Sequence, residues 1–152
     1  MTEPIAFDAQ SARHALPLLV AGQAQKEFFV NEAFARIDAL LHPAIEGEAI
    51  EPPAAPQPGE CWLVAAPATG SWAQHEEELA SWDGTQWTFC APHDGMMLFD
   101  GATGARIVFR SGWQRITRPA APTGGAVVDS EARAAITLMR DMLATLGLFP
   151  PA

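Results

Sequence analysis

Residues 79–89, Leu79-Ala80-Ser81-Trp82-Asp83-Gly84-Thr85-Gln86-Trp87-Thr88-Phe89, decide the fold. Trp82 and Trp87 flank an Asp-Gly pair, and apolar or β-branched residues recur on both sides of it. An Asp-Gly pair between such runs is the strongest short-range signal for a β-hairpin. The sequence therefore predicts a hairpin that turns at Asp83 and Gly84.

The hairpin lies in a tract, from Gly59 to Ile116, that contains all five tryptophans of the chain. Its short apolar runs are separated by Gly, Pro and Asp turn signals, a pattern that is typical of antiparallel strands. The predicted strands cover residues 60–65, a segment ending at Trp82, and residues 86–90, 95–99, 106–110 and 113–116.

A helix is predicted on each side of this tract. Apolar residues at three- and four-residue steps favour an amphipathic helix over residues 23–42, ended by His42 and Pro43. A second helix is predicted over residues 129–147, with Asp129 or Ser130 as N-cap and Gly147 at its end. Its apolar stripe fits two heptads and comprises Ala132, Ala135, Ile136, Met139, Met142, Leu143 and Leu146.

These elements predict an α+β fold, in which a small Trp-rich antiparallel β domain is flanked by an N-terminal amphipathic helix and a C-terminal helix. Proline-rich segments divide the chain, because proline interrupts both helices and central strands. The predicted organisation is an extended N-terminal arm (1–22), the helix (23–42), a Pro-rich linker (43–58), the β domain (59–118), a linker (119–128) and the C-terminal helix (129–147).

The charge of the chain narrows the classes of partner. Its formal net charge is −9, from 18 acidic and 9 basic residues, so its field repels nucleic acid and anionic lipid. The acidic N-terminus and the lack of an apolar run of about 20 residues argue against a secretory signal or a membrane span. We expect the protein to fold in the cytoplasm, with Cys61 and Cys90 as reduced, buried thiols rather than a disulfide.

Motifs for catalysis are missing from the sequence, which indicates a protein that is not an enzyme and carries no cofactor. His75 with the acidic run 76–78, together with His93 and Asp94, is the densest group of possible metal ligands. Neighbouring residues on a strand point to opposite faces, so a solvated loop is favoured over a cation site. A nucleophilic pair of Cys90 and His93 lacks an orienting third group.

The tryptophans have two interpretations. Large aromatic residues on short strands form an efficient core, which is favoured for Trp62, Trp82 and Trp87. They also stack on sugar rings, and Trp72, in a Gly-Ser loop, is the candidate for an exposed position. Carbohydrate contacts are therefore predicted at Trp72, Gln74 and Asp83.

The two predicted helices have more apolar surface than the hairpin would cover. The first is predicted to make either a second contact with the β domain or a subunit interface, where Asn31 would fix the register between chains or cap a backbone group. A short second helix is marginal alone and must dock on its own domain or on a copy of itself. The predicted interface residues are Phe28, Phe29, Val30, Asn31, Phe34, Ile136, Met139, Met142, Leu143 and Leu146.

The chain resembles a domain of unknown function carried by tailed phages, prophages and gene transfer agents of alphaproteobacteria. The resemblance lies in Ala21-Gly22-Gln23-Ala24-Gln25-Lys26-Glu27, in Asn31-Glu32-Ala33, in Ala68-Thr69-Gly70-Ser71-Trp72-Ala73 and in the tryptophans that follow. It departs from the family at Gly95-Met96-Met97-Leu98, where members often have a further Trp.

Because members of this family occur in head-spike and tail-fibre proteins, some of them linked to capsule binding, the resemblance implies a virion structural protein. We expect a base or adaptor subunit of three or five copies that links a longer fibre protein to capsid or tail proteins. The alternative is a carbohydrate-binding module for host capsule or surface polysaccharide. A glycan hydrolase ranks third, because no pair of carboxylates stands out.

Overall fold

The computed structural model describes residues 9–14, 16–19 and 27–151, apart from the side chain of Phe28. It confirms the predicted α+β class, with eight strands and two α-helices in the described ranges. The elements are α1 (Glu27–Leu40), β1 (Ala44–Ile45), β2 (Glu48–Ala49), β3 (Cys61–Val64), β4 (Leu79–Trp82), β5 (Trp87–Cys90), β6 (Met97–Asp100), β7 (Ala105–Phe109), β8 (Trp113–Arg115) and α2 (Ser130–Thr145). Neither α1 nor α2 is long and apolar enough to cross a membrane.

The chain divides into two compact units, Met1–Pro92 and His93–Ala152. This division differs from the predicted single β domain over residues 59–118. Pro92 has no amide hydrogen to donate to a ladder, and β5 ends just before it, at Cys90. The predicted linker over residues 43–58 is more than a connector, because it contains the strands β1 and β2.

The first unit contains a sheet of strand order β2-β3-β4-β5. β2 runs parallel to β3, and the other neighbours are antiparallel. The predicted hairpin is confirmed, because Trp82 pairs with Trp87 across the turn. Asp83 Oδ1 closes that turn by accepting hydrogen bonds from the backbone N–H of Thr85 (2.7 Å) and of Gln86 (2.8 Å).

One face of this sheet is covered by Trp72, which is completely buried at the end of a 3-10 turn, Gly70–Trp72. It packs with Val64 and Ala80, two small side chains that leave room for an indole. The ring of Trp87 meets it edge-on, with 5.1 Å between centroids. Trp62, Trp82 and Trp87, the predicted core tryptophans, are only partly buried.

The opposite face of the sheet carries Cys61 and lies towards α1 and the N-terminal segment. The Arg13 guanidinium donates to the carbonyl of Ala39 at 2.9 Å and reaches Cys61 Sγ at 3.7 Å. Asp38 accepts hydrogen bonds from the Ser11 hydroxyl and from the backbone N–H groups of Arg13 and His14, at 2.7–2.8 Å. The N-terminal segment thereby becomes part of the first unit.

The predicted extended arm is wrong for residues 9–14 and 16–19. These residues fold back on themselves, with a bridge between Gln10 and Pro17 and a hydrogen bond from the N–H of Leu18 to the carbonyl of Ala9 (2.9 Å). The capping needs of α1 account for this, because Arg13 and His14 bind the carbonyl groups at its C-terminal end. The rest of the predicted arm lies outside the described residues.

In the second unit β6, β7 and β8 form an antiparallel meander. A long exposed segment then leads to α2, whose N-cap is Asp129, as predicted: its carboxylate accepts the N–H of Ala132 at 2.8 Å. The helix ends before Gly147, which has a φ of +69° and faces the ring of Phe99. A glycine suits this position because a side chain would be strained there and would crowd the ring.

We expect Trp72→Ala to lower the free energy of unfolding by about 3–5 kcal/mol, because it empties the space between Val64, Ala80 and Trp87. Chemical denaturation measures the loss. Ser71→Ala, at an exposed neighbouring position, is the control and is expected to change it by less than about 0.5 kcal/mol. Equal stabilities for the two variants would contradict the central position of Trp72.

Candidate functional site

The candidate functional site is the apolar surface of α2. No residue of this helix is buried. Met139 and Met142 are 55% and 64% exposed, and Leu146 and Leu138 are exposed to a similar degree. Side chains at these three- and four-residue spacings share one side of the helix, so α2 has a continuous apolar stripe open to solvent.

The other side of α2 is the half-buried one. It carries Arg133, Ile136, Arg140 and Ala144. Of the residues predicted to form an interface on this helix, Met139, Met142, Leu143 and Leu146 are exposed, whereas Ile136 lies on this inner side. Leu138 was missed, because it falls outside the heptad positions used for the prediction, but it borders the same exposed stripe.

The C-terminal end of α2 is attached to the rest of the second unit. The carbonyl of Gly147 accepts a hydrogen bond from the N–H of Arg106 at 2.6 Å, and Phe149 is buried. The Arg118 guanidinium also pairs with Asp141. These contacts attach the C-terminal part of α2 to the second unit and leave its apolar stripe uncovered.

The predicted interface residues of α1 lie in different environments in the structure. Phe29 is 75% exposed and remains a candidate, while Val30 and Phe34 are half-buried. The Asn31 side chain binds the N-terminal segment: its amide accepts the N–H of Leu19 at 2.8 Å and donates to the carbonyl of the same residue at 2.9 Å. It acts as the backbone cap that the sequence offered as an alternative. The side chain of Phe28 lies outside the described residues.

The predicted carbohydrate contacts do not form one site. Trp72 is completely buried, so the prediction of an exposed stacking surface there is wrong. The reason is that the loop closes into a 3-10 turn, which directs the indole onto the sheet. Gln74 and Asp83 are exposed, but Asp83 uses Oδ1 to hold its own turn.

The acidic run after His75 forms a loop whose polar groups bind one another. His75 Nδ1 lies 2.8 Å from Glu78 Oε2, and its ring stacks on Phe89 with 3.7 Å between centroids. Backbone N–H groups of Glu76 itself and of Ala68 lower the pKa of the Glu76 carboxyl. Across the part of the chain that the structure describes, no three His, Cys, Asp or Glu side chains converge as metal ligands.

Both cysteines are free and buried, as predicted. Burial raises the pKa of the Cys61 thiol and of the Cys90 thiol above the ordinary value, since the thiolate loses its hydration. The thiolate is the nucleophilic form, so neither side chain is activated for covalent chemistry.

Fold and surface together define the class of protein: an α+β protein with a Trp-centred sheet and a helix whose apolar side is uncovered. Residues 30–114, more than half of the chain, match the family described as protein of unknown function DUF2793. The chain belongs to this family. Comparisons with curated proteins and with solved structures find no match.

The two thiols provide a test of the first unit. We expect neither Cys61 nor Cys90 to react with a thiol-specific reagent such as DTNB at pH 7.5 in the native protein, because both are buried and protonated. Both should react at once in denaturant. Rapid release of thionitrobenzoate by the native protein would contradict this placement of the cysteines.

Proposed function

We propose that this protein is a virion structural subunit, the base or adaptor of a head spike or tail fibre of a tailed phage or gene transfer agent. In this function copies of the chain associate with one another and link a host-recognition fibre to the particle. The observation that carries the proposal is the uncovered apolar stripe of α2. The resemblance to phage and gene-transfer-agent domains supplies the setting.

A second copy of the chain is the occupant that suits this stripe. An exposed methionine or leucine gains about 1.5–3 kcal/mol when it is fully buried, and α2 with its C-cap Leu146 offers four such side chains on one side, Leu138, Met139, Met142 and Leu146. An isolated helix of this length is marginally stable in water. Packing of α2 against copies of itself would bury the stripe and stabilise the helix together.

The charges of α2 also favour self-association. The chain as a whole carries a formal net charge of −9, which makes copies repel one another. Within α2 the two acidic residues, Glu131 and Asp141, are balanced by the two basic residues, Arg133 and Arg140. Copies can therefore approach along this helix without local repulsion.

The attachment of α2 to the second unit suits a structural subunit. The helix is held at its end by the Gly147 carbonyl and by the buried Phe149, so an interface on the helix fixes the second unit as well. Symmetric association of such surfaces gives closed oligomers when the rotation between neighbouring copies closes. Three copies suit a fibre and five suit a capsid vertex.

We expect the double variant Met139→Glu/Met142→Glu to be a monomer, whereas the wild-type protein is a discrete homo-oligomer in size-exclusion chromatography with light scattering. Two carboxylates inside a packed interface would lose their hydration without a partner, and each costs more than about a tenfold change in association. Thr137→Glu, two positions from Met139 and nearly on the opposite side of the helix, is the control. It should leave the oligomer intact. A monomeric wild-type protein would contradict the proposal.

The proposed location, in a head spike or a tail fibre, is tested on the particle itself. Purified particles labelled with an antibody against this protein, viewed by electron microscopy, should carry label at head spikes or at the tail fibres. Native mass spectrometry of the isolated protein should give three or five copies. If cells contain the protein but their particles carry no label, the virion assignment is wrong. The oligomeric state is then judged by mass spectrometry alone.

A further inference from the structure

The first unit contains a cavity that the proposed function does not use. It has a volume of about 550 Å³, which is within the usual range for small-molecule sites. Its walls come from the N-terminal segment, from α1 and from the β4–β5 hairpin. None of its lining residues belongs to α2, so it is independent of the proposed assembly surface.

The charge of the lining favours a cation. Four carboxylates line the cavity, those of Glu27, Glu32, Asp38 and Asp83, and the described lining includes no Lys, Arg or His. A cleft lined by one sign of charge concentrates ligands of the opposite sign. The net negative charge of the whole chain adds to this field.

Two of these carboxylates already have partners within the protein. Asp38 is bound by Ser11, Arg13 and His14, and Glu32 pairs with Arg36 at 3.2 Å. The other two have oxygens to offer. Glu27 Oε2 is buried without a hydrogen-bond partner, and the Asp83 carboxylate accepts its hydrogen bonds from Thr85 and Gln86 through Oδ1.

Thr88 is the second and independent sign of a ligand. This residue lines the cavity and is only 4% exposed, yet its hydroxyl oxygen has no hydrogen-bond partner. Buried polar groups without partners are rare in native proteins, because each loses its hydration without compensation. A ligand with N–H groups would supply the donors that Thr88 and Glu27 lack.

Apolar side chains complete the lining. Leu18, Leu19 and Ala35 contribute carbon surface, which suits an aliphatic stem rather than a bare ion. We propose that the cavity binds a small aliphatic amine, whose ammonium groups donate to the Glu27 carboxylate and the Thr88 hydroxyl while its methylene groups contact this apolar wall. This site goes beyond the proposed structural function and does not depend on it.

Isothermal titration calorimetry with 1,5-diaminopentane as the probe tests the site. The matched probe is 1,5-pentanediol, which has the same length and hydrogen-bonding ends without the charge. We expect the diamine to bind at least about tenfold more tightly than the diol, because hydrogen bonds between ions are the strong ones. Equal affinities, or no heat of binding with the diamine, would overturn the assignment.

Variants locate the binding within the cavity. Glu27→Gln keeps the shape of the side chain and removes its charge, and it should weaken diamine binding by about tenfold. Glu51→Gln changes an exposed carboxylate of the same unit outside the cavity and should leave the affinity unchanged. If the two variants weaken binding equally, the diamine is responding to surface charge alone, and the proposal is wrong.

Thr88→Val separates binding from folding. Valine fills the space of threonine without the unpartnered hydroxyl, so the free variant should melt at a higher temperature than the wild-type protein. The same variant should bind the diamine about threefold or more weakly, because one acceptor is lost. An unchanged affinity would show that Thr88 takes no part in the site and would contradict the proposal.

Discussion

The packing of Trp72 is the interaction on which the first unit depends. The indole fills the space that Val64 and Ala80 leave on one face of the sheet, and it meets the edge of Trp87. Its Nε1 is buried without a hydrogen-bond partner, a cost that the area of the aromatic ring outweighs. This one side chain joins the loop to the hairpin. The Trp-rich tract therefore serves first as the core of the unit.

In the second unit, by contrast, the apolar residues of a helix face solvent rather than a core. Its helix α2 keeps Arg133 and Arg140 on the half-buried side and leaves Met139 and Met142 in solvent. An amphipathic helix in a monomer normally turns its apolar side inward. This reversed orientation leaves a stripe of methionine and leucine exposed, and that stripe is the physical basis of the proposed assembly.

Local chemistry made several elements predictable. The hairpin follows from Asp83 and Gly84, and the bounds of α2 follow from the cap Asp129 and from Gly147, because each signal acts within a few residues. The burial of Trp72 was not predictable in this way, since it depends on Val64 and Ala80, on two different strands. The cavity was missed for the same reason: Glu27 and Thr88 are brought together only by the tertiary fold.

Hydrogen exchange of the α2 backbone amides, followed at several protein concentrations, tests the central claim most directly. If copies cover the stripe, the amides of residues 130–145 exchange slowly at high concentration and faster on dilution, while those of β3, β4 and β5 do not change. Exchange in α2 that is the same at every concentration would contradict the account.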